Sequence, residues 1–146
     1  MNSEFIKIFI DADAFIAFNN LSDALHKKAV DTLKQLSKGK FRYYTSLNVL
    51  MEAVTIVSQK VGKKQAVLLL RELRSGNYAI INPSQREVLL TEDLFKSIKS
   101  KNVSYSDCLS FIFMKANNID WVFSFDIHFK KQGFKRLSLD GFPGKA

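Results

Sequence analysis

Apolar and polar positions fall into blocks along the chain, and the blocks change period. Residues 5–10 are a short aromatic and β-branched run, largely apolar on both faces, that stops at Asp11. That is the pattern of a central strand in a parallel sheet covered by helices. Residues 14–19 predict a short helix, and Ser22 a cap for a longer one over 23–37. There Leu25, Ala29, Leu33 and Leu36 share a face, Lys27, Lys28 and Lys34 lie elsewhere, and Gly39 closes the element. Residues 41–45 predict a second strand, with Ser46 capping a helix over 47–60 that is apolar nearly all round. A further helix over 63–74 completes a helical hairpin. Residues 78–81 predict the third strand, and Ser84-Gln85-Arg86-Glu87 is a capping box before a helix to about 99, which gives Glu87 a structural role. A helix from Ser104 to about 117, a fourth strand over 121–125 and a short edge strand over 134–137 follow, and residues 141–144 form a tail. Strands alternating with helices imply a three-layer α/β/α sandwich around a parallel sheet of four to five strands, formed by residues 1–146 as one domain.

Composition narrows the class. Of 146 residues, 47% are hydrophobic and 25% charged, so a folded domain is expected and disordered or fibrous classes are excluded. Apolar runs such as Ala66-Val67-Leu68-Leu69-Leu70 are far too short for a membrane helix, and Met1-Asn2-Ser3-Glu4 lacks the basic start of a secretory signal. Cys108 is the lone cysteine and lies in an apolar stretch, where a buried thiol is expected. Together these features predict a cytoplasmic protein without a membrane partner. A net charge of +8 points to a polyanion, nucleic acid ahead of acidic protein; a solvated lysine-rich surface is the plainer reading. His26 reads as a solvated residue among surface charges.

Four acids adjoin apolar sequence where a core should be: Asp11 and Asp126 at strand ends, Glu52 inside an apolar helix, and Asp107 in the first turn of another. A glutamate at the centre of a buried helix needs a partner, because desolvating an unpaired carboxylate is costly. Each acid also has a purely structural reading. Asp107 can complete a capping box with Ser104, Asp11 and Asp126 can close Asx turns, and Glu52 can pair with a core Arg or Lys. If all four meet at the sheet's carboxyl edge, their charges repel unless a cation neutralises them. Oxygen ligands alone favour Mg²⁺ or Mn²⁺ over zinc.

These residues carry a resemblance. The strand ending in Asp11-Ala12-Asp13, the segment from Thr45 to Glu52, the helix start Ser104-Tyr105-Ser106-Asp107 and the stretch Ser124-Phe125-Asp126-Ile127-His128-Phe129 resemble, in order, the four acidic motifs of PIN-domain ribonucleases, with the size of the VapC-type toxins. The resemblance implies a metal-dependent endoribonuclease whose catalytic and metal-binding acids are Asp11, Glu52, Asp107 and Asp126. It places Asp13 where the family usually has a small polar residue, adding a fifth carboxylate or an outer-shell acceptor, and gives Ser124 a supporting role. It further implies a homodimer silenced by an antitoxin whose tail crosses the active-site groove. Lys60, Lys63, Lys64, Lys130 and Lys131 are candidates for holding RNA phosphates, and His128 for a phosphate contact or, more plainly, packing.

Rival readings remain at the level of sequence. A housekeeping RNA-processing nuclease would read alike, and a PIN-like scaffold could bind RNA or protein without cutting. Asp11-Ala12-Asp13 after a strand also resembles the aspartate-nucleophile motif of haloacid-dehalogenase-type phosphatases, although Phe15 and the absence of an acidic neighbour after Asp126 depart from it.

Overall fold

Ile8, Phe9 and Ile10 are at most 3% exposed, because strand β1 (Ile6–Ile10) is flanked by strands on both edges and by helices on both faces. The structure, a computed structural model, describes residues 5–144; the opening residues 1–4, read above as no secretory signal, lie outside them. Strands β2 (Phe41–Ser46), β3 (Tyr78–Ile81), β4 (Trp121–Phe123) and β5 (Lys135–Arg136) complete a five-stranded sheet of order β3-β2-β1-β4-β5. All pairings are parallel, with Ile8 opposite both Tyr43 and Trp121. The chain lays β2 and β3 on one side of β1, then returns to lay β4 on the other. The strand order therefore reverses between β1 and β4, where open α/β sheets leave a crevice outside their carboxyl ends.

Helices α1 (Ala12–Asn19), α2 (His26–Leu36), α3 (Leu47–Lys60) and α4 (Lys63–Leu73) pack on one another as one layer, and α5 (Gln85–Ser97) packs on α6 (Tyr105–Ala116) as the other. Alternation along the strands serves both layers. Phe9 and Tyr44 meet Phe113 of α6 at 5.9 and 6.2 Å between ring centroids, while Tyr78 meets Phe15 of α1 at 5.9 Å. Cys108 is buried, as expected. Among the described residues no helix is long and apolar enough to cross a membrane.

Three elements differ from the sequence reading. Helix α2 begins at His26, because the Asn20 and Asp23 side chains accept from the Ser22 and Leu25 amides and hold the segment in turns. His26 is not simply solvated: its Nδ1 lies 2.8 Å from the Ala17 carbonyl oxygen, tying α2 to α1. Strand β4 stops at Phe123, since the next amides are drawn to side chains of the site described below. Beyond it lies an unexpected short helix, α7 (Ile127–Lys131), capped by Asp126 and ended at Gly133 with φ of 95°. Fully buried Phe129 anchors α7 by an edge-to-face contact with Phe111 at 5.0 Å, beside Phe134. The Phe129→Ala variant is expected to lose about 3–5 kcal/mol of stability in urea denaturation, the cost of removing a core aromatic.

Candidate active site

The carboxyl edge of the sheet gathers the acids through its helix starts. Asp11 follows β1 directly and occupies the N-cap position of α1, yet its side chain makes no cap hydrogen bond, so the carboxylate is not spent on the helix. Its amide donates to the Phe123 carbonyl at 3.1 Å, and the buried Thr45 hydroxyl donates to the preceding Ile10 carbonyl at 2.9 Å. Neighbouring strands thus fix the point from which Asp11 projects. Thr45 carries no chemistry of its own, and only the strand register reveals its role.

Ser124 is the hub. Its buried hydroxyl lies 3.1 Å from Asp11 Oδ2 and 3.2 Å from Asp13 Oδ2, and accepts the Asp126 amide at 3.1 Å. A hydroxyl has one hydrogen, so Ser124 either shares it between the two carboxylates or gives it to one of them. Asp13 Oδ2 also accepts the Phe125 amide at 2.9 Å, which is what pulls the chain off β4. Asp13 Oδ1 is buried with no partner among the described residues.

Electrostatics follow from this crowding. Burial first, then the charges of Asp13 and Asp107, hold the Asp11 carboxyl well above the usual carboxylate range. Burial likewise pushes Asp13 up to about 6, with the Asp126 charge adding and the Phe125 and Ser124 hydrogen bonds opposing. Asp107 is raised by burial and by Asp126, against its cap hydrogen bonds with Ser104 and the charge of His128. The capping box is formed: the Ser104 amide donates to Asp107 Oδ2, and the Asp107 amide to Ser104 Oγ, both at 2.9 Å. The structural reading of Asp107 is therefore correct, and no hydrogen bond among the described residues engages its Oδ1.

Glu52 corrects an expectation. Helix α3 buries only Val49, Leu50, Ala53 and Val57, and Glu52 lies exposed beside exposed Met51 instead of inside an apolar core. It pairs with no Arg or Lys among the described residues. Partial burial and then the Asp107 charge push its carboxyl up. Asn48, one turn earlier, donates through Nδ2 to Ser106 Oγ and so braces the start of α3 against α6 beside Glu52 and Asp107.

Asp126 caps α7, its Oδ1 accepting the His128 amide at 2.9 Å and lying 2.7 Å from His128 Nδ1. Arg136 Nη1 reaches the Phe125 carbonyl at 3.4 Å, while the rest of its guanidinium and its amide grip Asp140, whose carboxyl these bonds pull down to about 2. The loop carrying Ser124 and Asp126 is thus held from both ends.

The structure places the basic candidates unevenly. Lys130 and Lys131 lie on α7, one turn from Asp126, and Lys130 Nζ is 3.6 Å from Asp140. Lys60, Lys63 and Lys64 flank the α3–α4 turn, with Lys60 about 12 Å along α3 from Glu52 at 1.5 Å per residue. A cavity of about 390 Å³ between α1, α2 and α4 is lined by Phe15, Phe18, Leu68 and Leu69 and holds none of the five acids. Of the acids, Asp11 is buried, Asp13, Asp107 and Asp126 are half-buried, and Glu52 is exposed.

Among the described residues, no three His, Cys, Asp or Glu side chains converge closely enough to enclose one ion as they stand. The donor set nevertheless suits a hard divalent cation. It is all oxygen, burial and then neighbouring charge raise the proton affinities of Asp11 and Asp13, and among the described residues it includes a buried carboxylate oxygen with no donor. Mg²⁺ keeps several waters and needs only one or two direct carboxylates, so a closed cage is not required.

Comparisons with known proteins agree with this architecture. No curated protein sequence matches the chain. Among solved structures, the VapC20 toxin of Mycobacterium tuberculosis, described as cleaving the sarcin-ricin loop, superposes with a TM-score of 0.78 at 23% identity, covering 87% of this chain and 95% of that one. VapBC2 of Rickettsia felis, bound to a fragment of its promoter DNA, gives 0.64 at 18% identity over 91% and 100%. FitAcB of Neisseria gonorrhoeae gives 0.58 at 14% over 92% and 96%. At these identities the likeness is one of fold. The PIN domain profile matches residues 8–135, which span β1 to β5 and all five acids, and the chain therefore belongs to the PIN-domain family.

Proposed function

We propose that this chain is an endoribonuclease that hydrolyses RNA phosphodiester bonds with Mg²⁺ or Mn²⁺, and that it is the toxin of a toxin–antitoxin pair. The observation that carries the reading is the gathering of Asp11, Asp13 and the Asp126 amide on the one Ser124 hydroxyl at the carboxyl edge of a PIN-domain sheet, with Asp107 near enough for its charge to bear on Asp11 and Glu52. Asp11, Glu52, Asp107 and Asp126 are the residues that would hold the ion. When bound, it supplies a water of lowered pKa and stabilises charge on the leaving oxygen. The chain's own groups do the rest. Ser124 restrains Asp11 and Asp13 and orders the Asp126 amide. The Ser104 amide fixes Asp107 Oδ2. Lys130 and Lys131, and further out Lys60, Lys63 and Lys64, would hold flanking phosphates without reading sequence, so binding weakens with salt.

The likeness to VapC20 favours RNA as the substrate and the toxin role, and the likeness to VapBC2 favours an antitoxin partner. We further propose that the protein dimerises and that residues 1–146 fold as one domain. Exposed Val67, Leu68 and Leu70 on α4 and Leu89, Leu90 and Phe95 on α5 offer apolar surface for a second copy or an antitoxin.

RNA cleavage is expected with Mg²⁺ or Mn²⁺ and should stop with EDTA. In the same assay Asp107→Asn should cut activity by about 10²-fold or more with no loss in the unfolding midpoint, since Asn keeps the cap acceptor and removes a repelling charge. Equal activity of that variant would remove Asp107 from the site. Expression should arrest growth, and Asp11→Ala should relieve the arrest; growth unaffected by the active enzyme favours the housekeeping role. A pH dependence follows from Asp13. Its folded pKa of about 6 exceeds the ordinary 3.8, so the folded chain binds the proton more tightly than the unfolded one. The metal-free protein should therefore lose stability as pH rises from about 4 through 6. Thermal unfolding in EDTA should show this slope in the wild type and a flatter one in Asp13→Asn; parallel slopes would contradict it.

A further inference from the structure

Asp126 and His128 are two residues apart, and their contact does more than cap a helix. Asp126 Oδ1 takes two donors from one residue: the His128 amide at 2.9 Å and the His128 ring through Nδ1 at 2.7 Å. An amide alone satisfies an N-cap, so the second bond is additional to the cap. The distance falls in the short range of charge-assisted hydrogen bonds. Both side chains are largely sheltered, 17% exposed for the histidine and 26% for the aspartate. With Asp126 ionised its carboxylate only accepts, and Nδ1 then carries the hydrogen whichever charge the ring bears. Oδ1 is thereby saturated, and no hydrogen bond within the described residues reaches Oδ2.

The position is well supported from beneath. Phe129, next in sequence, is fully buried against Phe111 and Phe134, and Arg136 holds the Phe125 carbonyl on the other side of Asp126. The loop is thus fixed independently of the imidazole, which leaves the ring free to set the rotation of one carboxylate. Ligating carboxylates are commonly oriented by hydrogen bonds from such outer groups.

We propose that His128 is a positioning residue: its Nδ1–H locks Asp126 through Oδ1 and leaves Oδ2 as the single oxygen presented to a divalent cation. This rests on the metal-dependent reading above, but it is decided by binding and not by cleavage. The ring is the element that matters, and specifically its δ nitrogen. Asparagine can place an N–H close to the Nδ1 position, whereas glutamine reaches toward Nε2 and phenylalanine fills the volume without a donor.

The test measures Mn²⁺ affinity by calorimetry on the wild type, His128→Asn, His128→Gln and His128→Phe, each checked for an unchanged unfolding midpoint. Loss of about 10-fold or more is expected for the Gln and Phe variants, with Asn largely restoring affinity. Nitrogen-15 spectra of the metal-free wild type should show the hydrogen on Nδ1, a readout independent of any activity. Wild-type affinity in a folded His128→Phe, failure of Asn to restore it, a neutral ring protonated on Nε2, or no Mn²⁺ binding by the wild type would each overturn the proposal. Wild-type protein that binds Mn²⁺ with the expected variant pattern yet cuts no RNA would instead leave His128 in its role and remove the nuclease reading.

Discussion

Burial of carboxylates, and then their repulsion of one another and of the exposed Glu52, is the constraint around which this edge of the molecule is built. Asp11 is 9% exposed and feels Asp13 and Asp107; Asp13 and Asp107 feel Asp126; Glu52 feels Asp107. In surroundings of reduced dielectric such neighbours cannot all ionise without compensation. The compensation inside the chain is thin. It consists of one shared hydroxyl on Ser124, a few backbone amides, and one histidine. Arg136 commits its hydrogen bonds mainly to Asp140, though its charge still bears on Asp126. A divalent cation is the simplest counter-charge that fits an all-oxygen set.

Topology explains why these acids are neighbours although they are spread over most of the sequence. Strand order reverses between β1 and β4, so Asp11 and the Ser124–Asp126 loop stand side by side where the crevice opens. Helices α1, α6 and α7 all begin at this edge, and their amide-rich ends carry Asp11, Asp13, Asp107 and Asp126. A helix N-terminus favours negative charge, typically by about 0.3–1 kcal/mol each. That offsets part of the repulsion and leaves the remainder as unmet demand for a cation.

Much of this was legible from periodicity. A run apolar on both faces and ended by a carboxylate marks β1 and Asp11, and the Ser84–Glu87 box is formed as read, with 2.9 and 3.1 Å bonds. Misses arose where side chains compete for backbone. Asn20 and Asp23 held their own amides and delayed α2. Asp13 captured the Phe125 amide, ended β4 early and made room for α7, a helix too short to have a period of its own. The sequence argument for Glu52 fails, since α3 is apolar in composition yet half exposed in place. Its nearness to Asp107 depends on how α3 meets α6 through Asn48 and Ser106, a contact no single-sequence pattern encodes.

The choice between a structural and a chemical role, posed separately for each acid, turns out to be a false alternative. A carboxylate has two oxygens. Asp107 commits Oδ2 to the Ser104 amide, and Asp126 commits Oδ1 to His128. In each case the bond that serves the fold also fixes the rotamer, and the second oxygen is held in place without being used. A side chain already ordered in this way loses little further freedom when it meets a ligand, so part of the entropic cost of assembling a site has been met during folding. Capping residues at the carboxyl edge of a parallel sheet are therefore well suited to become ligands. Glu52, exposed and uncapped, lacks that restraint and is the acid with the most freedom to lose.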